Sequence, residues 1–251
     1  MSALLPRPAT NGLLSRLTAS DFARLEPLLR PDRLQQGQAL FQAGDCLHDV
    51  WFPTSAVVSL CAMTDDSGSI EVGVVGHEGV VGASAALTSQ PASQCAMVLL
   101  SGDALRLDAE EFRRGVKSSP ELFECVLVYV HALLAQASQA VACSRFHDAE
   151  QRLARWLLET ADRARVQSFA LTQEYLALML GMQRPWLTQT AQRLQDRGLI
   201  RLQRGDIEIV NRTNLRDASC ECYTIIRQHF DRFLQQCCPD IVEKACQKAC
   251  D

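Results

Sequence analysis
The chain has 251 residues, of which 47% are hydrophobic, with a mean hydropathy of −0.03 and a formal net charge of −4 at pH 7. That length suits two domains, and the composition is that of an ordinary soluble globular protein. No segment reads as a membrane span, because the apolar stretch from Gly79 to Gly102 is interrupted by Ser, Thr, Gln, Pro and Gly. The first residues also lack the charged and apolar pattern of a secretion signal, so a cytoplasmic location is expected.

Residues 1–17 read as a polar tail with two prolines. A short helix follows, with Thr18 or Ser20 as its cap and Phe22, Leu25, Leu28 and Leu29 on its apolar side. From about Leu34 to Leu107 the chain is β-rich. Runs such as Val57-Val-Ser-Leu, Ile70-Glu-Val-Gly-Val-Val and Met97-Val-Leu-Leu alternate with turn signals, a spacing that predicts a small barrel or jelly roll within residues 18–117. After Pro120 the pattern becomes helical, and residues 118–144 read as one long helix. Leu122, Val126, Tyr129, Leu133, Gln136 and Ala140 fall along one stripe of it. Phe146 to Arg165 forms a further amphipathic helix with Leu153, Trp156, Leu157 and Thr160 inward.

Residues 171–200 carry the most informative pattern. Thr172 is a good N-cap, and Leu176, Ala177 and Leu180 then form an apolar stripe that ends at Gly181. Pro185 suits the start of a second helix, about 184–197, whose Leu187, Ala191 and Leu194 recur on one face. The other face presents Arg184, Trp186, Thr188, Gln189, Gln192 and Arg193. Two short β runs, Leu199-Ile-Arg-Leu and Ile207-Glu-Ile-Val, flank Gln-Arg-Gly-Asp and predict a hairpin carrying Arg201 and Arg204. This is a helix-turn-helix with a wing, spanning residues 145–215. Its charge agrees with a polyanionic partner. Residues 1–144 carry 9 basic and 15 acidic side chains, residues 206–251 carry 6 and 8, and residues 145–205 carry 10 and 6, a local net charge of +4. Residues 216–251 read as a Cys-rich helical extension with Cys220, Tyr223, Ile226, Phe230 and Phe233 on its apolar side.

Six of the eleven cysteines lie at the C-terminal end, at positions 220, 222, 237, 238, 246 and 250. Their spacing matches neither a zinc ribbon nor an iron–sulfur motif, and His48, His77, His131, His147 and His229 are scattered. No metal ligand set and no cofactor are therefore expected, a metal or redox use of the C-terminal cysteines being the less favoured alternative. The odd number of cysteines and a reducing compartment argue against structural disulfides. Catalysis is not expected either, since there is no P-loop, no G-x-S-x-G, no H-E-x-x-H and no dinucleotide fingerprint.

The tract Leu171-Thr-Gln to Gly181, with Arg184 behind it, resembles the Crp/Fnr family of bacterial transcription regulators. Gln36-Gly-Gln-Ala-Leu-Phe-Gln-Ala-Gly-Asp-Cys and Asp49-Val-Trp-Phe are similar to the opening of that family's cyclic-nucleotide-binding β-roll, and Gly76-His-Glu-Gly to the start of its phosphate cassette. The resemblance implies an α+β protein: an N-terminal β-roll, a long dimerisation helix and a C-terminal winged helix-turn-helix. It implies a homodimer paired through Leu122, Val126, Tyr129, Leu133, Gln136 and Ala140. It also implies double-stranded DNA as ligand, with RNA polymerase as a further partner and a small-molecule effector that is either unknown or lacking. Thr172, Gln173, Gln183, Arg184, Trp186, Thr188, Gln189, Arg193, Arg201 and Arg204 would make the DNA contacts. Pro185 and Gln189 stand where the family commonly has an acidic residue and a second arginine.

The effector pocket would include Gly76, Glu78, Gly79, Ser93 and Gln94. Here the chain departs from the family, which pairs the Glu with an Arg that neutralises a cyclic phosphate, because no charged residue occurs from Gly79 to Gly102. A response to cyclic AMP is not expected. Glu78 can equally be a turn residue, and the long helix can equally pack on its own β-roll. The competing function is a ligand- or redox-sensing module whose winged helix docks onto a protein.

Overall fold
The computed structural model describes residues 11–63, 69–203 and 205–235. In chain order the elements are α1 (Ala19–Leu25), β1 (Arg30–Leu34), β2 (Ala39–Phe41), β3 (Asp49–Pro53), β4 (Val57–Met63), β5 (Ser69–Val75), α2 (Ala83–Thr88), β6 (Cys95–Leu100), β7 (Gly102–Asp108), α3 (Ala109–Ser118), α4 (Pro120–Phe146), α5 (Ala149–Ala164), β8 (Ser168–Ala170), α6 (Gln173–Leu180), α7 (Arg184–Asp196), β9 (Ile200–Gln203), β10 (Asp206–Ile209), α8 (Arg212–Ala218) and α9 (Cys222–Gln235). Strands β1–β7 form a roll of two antiparallel sheets, ordered β1-β7-β3 and β2-β6-β4-β5. A third sheet, β8-β10-β9, is the wing, and its strand β8 was not anticipated from the sequence.

The segment expected to be a tail is partly integrated. Leu13 and Leu14 are buried, and Asn11 Nδ2 donates to the carbonyls of Pro53 and Gly79 at 2.8 Å each. Residues 1–10 lie outside the described residues, as do Arg204 and Cys237, Cys238, Cys246 and Cys250.

Helix α4 has apolar residues on more than one side, and the structure decides which side is internal. Leu122, Val126, Tyr129 and Gln136 are almost fully buried within the chain. Tyr129 donates its hydroxyl to Val80 O at 3.1 Å, and its ring centroid lies 5.4 Å from that of Phe233 in α9. At Gly79 the backbone passes directly under the Tyr129 ring, where any Cβ would collide. Gln136 Oε1 accepts from Val74 N–H at 3.3 Å. These four residues, expected to line a dimer seam, are thus committed to packing α4 on α3, the roll and α9. The face left open carries Phe123, Leu127, Leu134 and Val141, which are 51%, 55%, 64% and 67% exposed. Leu133 and Ala140 are only partly buried. Contrary to the expectation from sequence, α4 is also long and apolar enough to cross a membrane, with a mean hydropathy of 1.5 over its most apolar stretch. Its internal face is already taken up by α9 and the roll.

The roll and the winged helix share one core. Val57, Cys61, Val74, Cys95 and Leu99 pack in one cluster with Leu153, Trp156, Leu157, Leu176 and Met179 of α5 and α6. Glu71 sits at this junction, where its carboxylate accepts from Ser59 Oγ at 2.6 Å and from Trp156 Nε1 at 2.7 Å. Burial pushes its pKa up from 4.5 to about 7, outweighing those two hydrogen bonds and the Arg155 charge. A carboxyl raised on folding binds its proton more tightly in the native state, so its stabilising contribution is full below about 4.5 and is lost as pH rises through about 7. Glu71→Gln should therefore raise Tm at pH 8, by about 2 to 4 °C per kcal/mol recovered, and leave it nearly unchanged at pH 4. Thermal unfolding across that range checks this; an unaltered pH slope in the variant would refute it.

Candidate nucleic-acid interface
The two helices of the motif are set by local chemistry. Thr172 Oγ1 accepts from Tyr175 N–H at 3.2 Å and caps α6. At the other end Gly181 takes φ +58°, a left-handed conformation that glycine adopts without Cβ strain. Arg152 Nη2 donates to Leu180 O at 2.5 Å and so occupies a carbonyl of the last turn of α6. Helix α7 opens at Arg184 with Pro185 in its first turn, and no side chain caps it at Gln183. Its first amides are therefore left for an external acceptor such as a phosphate.

Leu187, Thr190, Ala191 and Leu194 fasten α7 to the core. Gln183, Arg184, Trp186, Thr188, Gln189 and Arg193 are all exposed, Trp186 by 62%. Their electrostatic situations differ. Arg184 has no hydrogen bond or ion pair through its side chain among the described residues, whereas Arg193 Nε lies 3.5 Å from Glu150 Oε2 and Nη2 donates to Thr190 Oγ1 at 3.2 Å. Arg197, which the sequence reading passed over, pairs with the same Glu150. Thr188 Oγ1 donates to Gln173 Oε1 at 2.8 Å, tying α6 to α7. On the wing Arg201 pairs with Glu208 at 2.5 Å. Arg184, Trp186, Thr188, Gln189 and Arg193 thus lie on the solvent side of α7, and Thr172 at the cap of α6 and Arg201 on the wing are exposed as well.

The expected effector residues separate into two places. Ser93 and Gln94 line a cavity of about 180 Å³ between the roll and α4, together with Phe41, Val72, Ala83 and Gln136. Among the described residues no charged side chain lines it. Gly76, Glu78 and Gly79 do not line it at all. Glu78 is fully buried, where its two oxygens accept from Gly76 N–H at 3.0 and 3.2 Å and Arg163 Nε of α5 lies 3.3 Å away. The Phe230 ring of α9 closes over that guanidinium at 3.9 Å. Glu78 is thus buried beside Arg163, with the one Gly76 N–H shared between its two oxygens, apart from the cavity that Ser93 and Gln94 line. Arg106, a cation of β7, lies 3.6 Å from Asp49.

Residues 31–119 match the cyclic nucleotide-binding domain and residues 151–218 the Crp-like helix-turn-helix domain. The chain is 23% identical over 202 residues to the CRP-like cAMP-activated global transcriptional regulator of Mycobacterium tuberculosis, an alignment covering 78% of this chain and 90% of that protein. In fold it is similar to a transcriptional regulator of the Crp/Fnr family from Eubacterium rectale, with TM-score 0.65, 17% identity, and 84% of this chain and 98% of that one covered. It is likewise similar to the c-di-GMP-responsive global regulator CLP of Xanthomonas campestris, with TM-score 0.61, 18% identity, and 76% of this chain and 99% of that one covered. With a β-roll matching the sensor domain, a winged helix matching the DNA-binding domain and a long helix joining them, the chain belongs to the Crp/Fnr family of transcription regulators.

Proposed function
We propose that this regulator works in the cytoplasm as a homodimer that places α7 of each protomer in the major groove of DNA, reads bases with Arg184 and its neighbours, and contacts RNA polymerase once bound. The observation that carries the reading is Arg184, an exposed guanidinium without a side-chain partner among the described residues, at the start of a helix whose opposite face is locked into the core. A free fork of donors there can make the bidentate contact with a guanine edge. The homodimer reading is supported by Leu127, Leu134 and Val141, which are spaced by seven residues on the open face of α4, the repeat of a two-helix seam. The test is binding to a double-stranded fragment enriched by the protein, titrated at several salt concentrations. Log affinity should fall linearly with log salt, by about 0.9 per phosphate contact. Salt-independent or unsaturable binding would overturn the reading in favour of protein docking.

The sensor cavity is proposed not to take cyclic AMP or cyclic GMP. A cyclic phosphate must shed water to enter it, and an uncompensated charge costs several kcal/mol even after relaxation. None of the described residues lining the cavity is a cation. The end of a short helix such as α2 offers at most about 2 kcal/mol, which falls short of that cost. Isothermal titration with each nucleotide should give no saturable heat; micromolar affinity for either would show that the cavity acquires a cation from elsewhere.

A further inference from the structure
Away from the DNA-facing surface, where α4 ends and α9 begins, four side chains from two distant segments converge. Cys143 and His147 are one helical turn apart at the end of α4, so they project to the same side. Cys220 and Cys222 flank Glu221 at the start of α9. Their donor atoms all lie within 4.8 Å of one another. Cys143 Sγ is 3.5 Å from Cys220 Sγ, and Cys222 Sγ is 3.4 Å from His147 Nδ1. The sulfurs are too far apart for a disulfide, whose bond is ~2.05 Å. They are close to the donor separations around a single tetrahedral zinc, ~3.8 Å for S···S and ~3.6 Å for S···N, as its bond lengths dictate. We propose that Cys143, His147, Cys220 and Cys222 form a Zn²⁺ site that fastens the start of α9 to the end of α4, at the turn into the DNA-binding domain.

The surroundings match the needs of such a site. His147 Nε2 lies 3.2 Å from Glu221 Oε1, so an N–H donated there leaves Nδ1 unprotonated and directed at the thiols. A carboxylate holding the outer nitrogen is the arrangement that orients ligating histidines. Gln139 Nε2 donates to Cys222 Sγ at 3.1 Å, a contact that suits a thiolate. Three thiolates and one zinc ion leave a net charge of −1. Arg152 and Arg155 both lie near enough to act on Cys143 and Cys220 and set positive charge beside them, Arg155 sharing its charge with Glu159 at 2.9 Å. With three of the four ligands buried and all four positions filled by protein, the site is structural, without an open position for chemistry. The thiol and imidazole donors select a borderline ion such as zinc over magnesium or calcium, which take oxygen.

The test is metal analysis of the full-length protein after expression with zinc, gel filtration under reducing conditions and mass spectrometry of the elements. One zinc per protomer is expected in the wild type. In Cys220→Ser and in His147→Ala it should fall below about 0.2 per protomer, since losing one of four ligands opens the site. His147→Cys should restore it. Cys46→Ser, at an exposed position, should retain it, as should the combined Cys237→Ser, Cys238→Ser, Cys246→Ser and Cys250→Ser variant. Should Cys220→Ser not fold, cobalt substitution of the wild type decides. Tetrahedral d–d bands with thiolate charge-transfer absorption support the site, and an octahedral or sulfur-free spectrum overturns it. A metal-free wild type after loading, or zinc that stays in His147→Ala and leaves with the four distal cysteines, also overturns it.

Discussion
Arg184→Ala is expected to weaken binding to the cognate DNA site by about 5- to 150-fold, the loss of ~1 to 3 kcal/mol that a bidentate arginine–guanine contact supplies. The fold should survive, because the side chain is exposed and holds nothing in place among the described residues. The comparison with Arg193 sharpens the expectation. Arg193 already faces Glu150 and Thr190, so part of its charge is spent internally. Its replacement by Ala should cost less affinity and act about equally on all sequences, as a phosphate contact does. Anisotropy titrations of the two variants on cognate and scrambled duplexes measure both terms. Unchanged affinity in Arg184→Ala would remove the assignment of α7 as the reading helix.

Leu127→Glu, or Val141→Glu, should convert the dimer into monomers at micromolar concentration. In a two-fold seam the substitution buries two like charges without partners, at a cost of several kcal/mol. Monomers keep one reading helix and lose the second, so affinity for a two-half-site operator should drop by about 10²- to 10⁴-fold. Val126→Glu provides the contrast. Val126 is fully buried inside the chain, so the same charge there should damage folding before it affects assembly. Sedimentation velocity with circular dichroism separates the two outcomes. A Leu127→Glu variant that remains dimeric would place the seam elsewhere.

The helix-turn-helix was legible in the sequence because its determinants are local. The Thr172 cap, the turn at Gly181, Pro185 and the spacing of Leu187, Ala191 and Leu194 act within a few residues, and the structure places each where that chemistry puts it. The apolar side of the extension was legible for the same reason: Tyr223, Ile226, Phe230 and Phe233 are all buried. What could not be read was the partner of each apolar face. Leu122 and Leu127 look alike in a helical stripe, and only the packing of α4 against α3, the roll and α9 makes one internal and leaves the other open. Glu78 looked like an effector ligand because its neutralising residue, Arg163, lies 85 positions further along the chain. The cysteine cluster escaped notice because its donors come from two segments. The spacing of Cys143 and His147 within one turn was the signal available, and it gains meaning only beside Cys220 and Cys222.

Sequencing the duplexes that the wild-type protein retains from a random pool asks whether two copies of α7 read DNA together. The expected result is an inverted repeat whose half-site centres lie about 10 to 10.5 base pairs, ~34 Å, apart, and which Arg184→Ala no longer enriches. No enriched motif, or a single asymmetric site bound equally well by that variant, would contradict it.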